Sequence, residues 1–142
     1  MLDLVYDLIR FFNRPSVQVS DVVTRVGSIL SDPGIPLPIT IKSMLPGVDE
    51  AWLARDPETE LPFVLSLKLS AEPGITLGDL KKKLGNFSIL TSRPGGARNI
   101  IFYPTLEGVP CAVAVIAVLD HDSQLTETSR ISEIRFRRDS EK

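Results

Sequence analysis

One motif is written twice along this chain. Pro73-Gly-Ile-Thr-Leu-Gly-Asp-Leu-Lys-Lys-Lys-Leu-Gly85 has a counterpart fifty-eight residues earlier, Pro15-Ser-Val-Gln-Val-Ser-Asp-Val-Val-Thr-Arg-Val-Gly27. Pro, Asp and Gly coincide, and Val17/Ile75, Val19/Leu77, Val22/Leu80 and Val26/Leu84 match in kind. Each copy reads as a short helix. Thr76 and Asp79 stand three apart as a capping box with Asp in place of the usual Glu or Gln. Leu77, Leu80 and Leu84 form one apolar stripe, and Gly85 stands where a left-handed C-terminal residue is wanted. The first copy keeps the stripe as Val19, Val22 and Val26 but has Gln18 where Thr76 caps. Valine is the poorer helix former, so the first helix should be the weaker.

The likeness extends beyond the helix. Ser28-Ile-Leu30 recurs as Ser88-Ile-Leu90, Pro33-Gly34 as Pro94-Gly95, and Leu45-x-Gly47-Val48 as Leu106-x-Gly108-Val109. Four matches in the same order point to an internal duplication, 15–70 and 73–139, preceded by a helix over 1–13, all within a single domain 1–142. In that first segment Leu2, Val5, Ile9 and Phe12 form one helical row beside Met1, Leu4, Leu8 and Phe11, with only a narrow polar edge. Such a helix should pack across its own sheet; a dimer contact and a membrane-surface anchor are the alternatives. Its edge carries two acids and one base, where an anchor wants lysine and arginine.

Three strands follow each repeat helix. Ile39–Met44, Glu50–Arg55 and Leu61–Leu69 alternate, the last with Phe63, Leu65, Leu67 and Leu69 on one side and Val64, Ser66 and Lys68 on the other. The second set is Asn99–Tyr103, the nearly continuous apolar run Cys111–Leu119, which reads as a strand buried on both faces with part of a helix as the alternative, and Ile131–Arg137. Short turns make neighbours antiparallel, and one meander alone is too thin to hold a core. The expectation is α+β: an N-terminal helix, then two tandem αβββ repeats forming one antiparallel sheet of about six strands, helices on one face.

A net charge of −2 argues against a nucleic-acid binder that relies on bulk attraction. One cysteine excludes an intramolecular disulfide and suggests a reducing, cytoplasmic setting. No apolar run is long enough to span a bilayer, and the N-terminus lacks the basic lead and cleavage site of a secretory signal. An initiating Met and a polar tail suggest a whole protein.

The helix Gly-x-Thr-x-x-Asp-Leu-x-x-x-Leu-Gly, carried here by Gly74, Thr76, Asp79, Leu80, Leu84 and Gly85, resembles the repeat of the beta-lactamase-inhibitor-protein-like fold. Small outer-membrane lipoproteins of the SmpA/OmlA type share that fold. Tyr103 falls near the aromatic that often opens the meander, and the likeness covers about Pro15 to Asp139. A signal peptide, a lipid-attachment cysteine and a disulfide pair are all missing. The resemblance implies a protein-binding fold and names no partner; cystatin-like helix-on-sheet proteins are the next structural relatives.

No catalytic set emerges. His121, between Asp120 and Asp122, is the only histidine and reads most simply as a solvated turn. Cys111 begins the most apolar strand and reads as a small buried filler. Arg93-Pro-Gly-Gly-Ala-Arg98 lacks the phosphate-loop pattern, and Lys81-Lys82-Lys83 reads as the wet side of its helix. No metal site and no cofactor are expected. Trp52, Phe102 and Tyr103 are the candidate binding aromatics, with the outward Arg135 and Arg137 beside them. The function expected is a non-enzymatic interaction module that binds a protein through a sheet face. The alternatives are self-assembly through Leu2, Val5, Ile9 and Phe12, possible as a homodimer, and a small-molecule pocket between helices and sheet.

Overall fold

Alternation of apolar and polar residues along about half of the strands lets one sheet bury a single face against helices. The computed structural model describes residues 2–70, 74–90, 98–106, 111–119, 126 and 128–139. Helix α1 spans Leu2–Phe12, α2 Val19–Val26 and α3 Leu77–Leu84. Strands β1 Gly27–Ser31, β2 Ile39–Ser43, β3 Val48–Arg55 and β4 Pro62–Leu69 follow α2. Strands β5 Phe87–Ile89, β6 Arg98–Phe102, β7 Val113–Leu119 and β8 Ile131–Arg138 follow α3. All eight form one antiparallel sheet in the order β1-β2-β3-β4-β8-β7-β6-β5.

The expected six strands are thus corrected to eight, and each repeat is αββββ. The added strands, β1 and β5, are the two edges. Both are short and exposed along most of their length. An edge strand pairs on one side only, and these two bury little, so each carries too short an alternation to read.

The halves meet back to back where β4 pairs with β8: Val64 faces Arg137, Ser66 faces Arg135 and Lys68 faces Glu133. Outward from that seam the register repeats itself. Ile41, Ala51 and Leu67 stand opposite one another in one half as Phe102, Val115 and Phe136 do in the other. That register also shows the Ser-Ile-Leu recurrence to be two residues out of step. Ile29 faces Ile41 whereas Phe87 faces Phe102, so the partner of Ile29 is Phe87 and not Ile89.

One core joins the helices to one face of the sheet. Val5, Leu8, Ile9 and Phe12 of α1, Val22 and Val26 of α2, and Leu77 and Leu80 of α3 pack with Ile41, Leu53, Leu67, Val115, Ile134 and Phe136. Each fully buried aliphatic or aromatic side chain contributes roughly 1.5–3 kcal/mol, which is why α1 spends its apolar rows here. Leu65, Leu67 and Leu69 share this face, but Phe63, at the end of β4, is 39% exposed beyond the helix layer.

Side-chain hydrogen bonds pin the layer at its ends. The Arg138 guanidinium donates to the carbonyls of Phe12 at 3.0 Å and Arg14 at 2.6 Å, closing the C-terminus of α1. Asn13 Oδ1 accepts from the Ala112 N–H at 2.8 Å. At α3 the capping box is complete: Asp79 N–H donates to Thr76 Oγ1 at 3.3 Å and Thr76 N–H to Asp79 Oδ2 at 3.1 Å. In α2 the Gln18 N–H donates to Asp21 Oδ2 at 2.9 Å.

The two helix-ending glycines serve different ends. Gly85 takes φ +91 with open space where a side chain would go. Gly27 is extended, but a Cβ there would lie 1.8 Å from the Lys42 carbonyl oxygen. Only glycine lets β1 leave α2 that close to β2.

Candidate interaction face

The sheet face away from the helices presents three rows, set by register. The middle row runs Thr40, Trp52, Ser66, Arg135, Ile116, Ile101 across six strands, β2 to β6. On one side lie Ala54, Val64, Arg137 and Ala114. On the other lie Lys42, Glu50, Lys68, Glu133, Val118 and Asn99.

The first half of this face is open. Trp52, Ala54, Val64 and Ser66, with Pro38 at the edge and Glu133 and Arg135 across the seam, line a shallow concavity of about 460 Å³. Its floor is mostly aliphatic and aromatic, and its charges lie on one side. Arg135 Nε donates to a Glu133 carboxylate oxygen, so that rim pair neutralises itself.

In the second half the middle row is closed. Ile101 is 2% exposed, Ile116 9% and Ala114 0%, with Leu90 packed against them as a small cluster separate from the main core. Strand β7 is buried on both faces along most of its length, as its continuous apolar sequence suggests.

Of the residues singled out from sequence, Trp52 and Arg135 come together in the concavity, two strands apart in one row. Arg137 stands one row away. Its Nε donates to Asp139 Oδ1 at 2.7 Å and its Nη2 to Asp139 Oδ2 at 3.4 Å. That carboxylate, outweighing an opposing desolvation and helped by the Tyr103 hydroxyl, raises the guanidinium pKa above its ordinary value. Tyr103 is 62% exposed just past β6. Phe102 faces the opposite way. It is fully buried in the helix-side core, its ring 5.6 Å from that of Phe87. Alternation places neighbours 102 and 103 on opposite faces, so they do not share one surface.

Val5, Ile9 and Phe12 are buried in the chain's own core, and the Leu2 side chain lies outside the described ones. His121 with both its aspartates, and Pro94-Gly95 and Gly108-Val109 of the recurrence, also lie outside the described residues. Cys111 is half-buried against the main core, its thiol 3.5 Å from the Val113 carbonyl oxygen. Lys81, Lys82 and Lys83 are exposed, Lys83 lying 3.5 Å from Asp3. Among the described residues no three His, Cys, Asp or Glu side chains gather as a metal site, and no helix is long and apolar enough to cross a membrane.

A second hollow, about 420 Å³, opens at the end of the layer between Val17, Phe63, Leu61 and Arg138. There Nη1 of Arg138 donates to the carbonyls of Phe12 and Arg14 at the end of α1.

Sequence reasoning passed over Val64, Ser66 and Pro38. The first two were legible as the side of β4 opposite Leu65 and Leu67; Pro38 carries no such signal, because it lines the face only through its place before β2. The chain matches no family model, no curated protein and no solved structure.

Proposed function

We propose that this chain is a non-enzymatic interaction module, adaptor- or inhibitor-like, that binds a protein partner through the open half of its sheet face. The observation that carries this reading is Trp52 in a shallow apolar concavity, with Ala54, Val64 and Pro38 around it and Arg135 and Glu133 at the rim. An aromatic anchor among aliphatic groups inside a polar border is the anatomy of an interface centre. The resemblance of the repeat to beta-lactamase-inhibitor-protein-like domains supports the same reading. The single cysteine favours a reducing compartment as its setting.

Assembly through α1 finds less support. Val5, Ile9 and Phe12 would have to leave the core to meet a second copy. Nor does the second hollow favour a ligand pocket, since its Arg138 already holds the end of α1 and its Asp139 pairs with Arg137.

The test is capture of partners from native lysate with wild-type chain and with Trp52→Ala. One stoichiometric partner held by the wild type and lost with Trp52→Ala is the expected result. A partner retained equally by both forms overturns the reading.

A further inference from the structure

We infer that the occupant of the open face is a second copy of this chain, docked sheet to sheet about a two-fold axis parallel to the strands and midway between β3 and β4. This rests on the reading of that face as the interaction surface and names its partner.

Lys42, Glu50, Lys68 and Glu133 alternate in sign along one row of four adjacent strands. Lys42, Glu50 and Lys68 close no ion pair among themselves. Rotation about the stated axis exchanges β3 with β4 and β2 with β8. Glu50 is thereby set against the second copy's Lys68, giving two opposite-charge pairs per dimer, and Lys42 comes over its Glu133, which Arg135 already neutralises. A two-fold axis along the row would instead set every charge against its own kind. Of these two axes only the first is electrostatically favourable, and among axes parallel to the strands it alone brings all four charged positions into register.

The neighbouring rows obey the same rotation. Trp52 comes over the second copy's Ser66, a large side chain above a small one. Ala54 comes over its Val64, apolar on apolar. Stacked sheets lie roughly 10 Å apart with strands within about 30° of alignment, a gap that facing Lys and Glu side chains span. Beyond β8 the charged row continues as Val118 and Asn99, and the middle row is closed, so the complementary patch ends at β8. Four strands and three rows make a patch roughly 20 Å on a side. At about 400 Å² per copy that is below the usual size of specific interfaces, so the dimer is weak and exchanges readily.

The experiment is sedimentation equilibrium of the full chain from micromolar to millimolar concentration, at low and high salt. Wild type should dimerise reversibly, less at high salt. Glu50→Lys alone and Lys68→Glu alone should each weaken self-association about tenfold or more by facing like charges across the axis. An equimolar mixture of the two variants should recover a one-to-one heterodimer, because each restores the other's missing sign. Both positions are exposed, and unchanged circular dichroism and melting temperature will show that both variants fold. Should either fail, Glu50→Gln and Lys68→Gln should each weaken association about threefold, with no recovery on mixing.

A wild-type chain that stays monomeric into the millimolar range overturns the second copy as occupant, as does a mixture that fails to associate. Neither touches the effect of Trp52→Ala on a different partner, so the reading of the face would stand. A dimer indifferent to both reversals and to Trp52→Ala uses another surface and overturns the inference and the face reading together.

Discussion

Trp52 and Ile116 occupy equivalent places in the two halves of the sheet. Each stands on the face away from the helices, beside the Ser66–Arg135 pair at the seam: Trp52 faces Ser66 on one side and Ile116 faces Arg135 on the other. Their outer neighbours are equivalent as well, Thr40 and Ile101. Yet Trp52 lines an open concavity, whereas Ile116 and Ile101 are all but sealed. Identical backbone register therefore supports two surfaces. What packs over each row assigns the roles: Leu90 lies against the two isoleucines and joins them in a small apolar cluster, whereas the indole beside a polar Thr stays half-buried.

The comparison can be broken hardest at the paired glycines. Gly27→Ala must push β1 away from the Lys42 carbonyl, and we expect a loss of about 3–4 kcal/mol in urea unfolding. Gly85→Ala meets no atom and costs only its positive φ, about 1–2 kcal/mol. Equal losses at the two sites would show that β1 does not depend on the close approach.

Next comes the central row. Ile116→Ala should cost about 2–3 kcal/mol by opening a cavity in the sealed half, with partner capture unchanged. Trp52→Ala should cost about 1 kcal/mol of stability, because its ring is only half-buried, and should abolish capture. The two readouts, unfolding and capture, should thus exchange places between equivalent positions.

Smallest are the caps. Thr76→Ala removes the side-chain acceptor of the α3 capping box and should lower stability by about 1 kcal/mol. Gln18→Thr puts a better N-cap residue at the start of α2 and should raise stability in urea unfolding by roughly 0.5 kcal/mol or less.

Much of the architecture can be read from residues in order. Thr76 with Asp79 marks the start of α3, the leucine stripe its buried side, and alternation in Leu65–Leu69 and Ile134–Phe136 the inward face of β4 and β8. Those signals are local, set by helical and strand periods that any chain must obey. The edge strands were not legible, since Ser28–Ser31 and Phe87–Ile89 pair on one side only and bury little. Candidate site residues divided by the same logic. Trp52 and Arg135 stand on a face whose parity is readable, but whether that face is open depends on neighbours from distant strands.

By itself, then, the sequence determined the two repeat helices, the inward faces of the main strands, and the helix α1 that had to be buried somewhere. Tertiary structure alone decided that β4 and β8 would meet, that α1 would be held at its end by Arg138, and that Trp52 would lie open while Ile116 lay closed. The physical reason is range. Periodicity and capping act within a turn or a pleat, whereas register between strands more than sixty residues apart is settled only when the whole sheet buries one face at once.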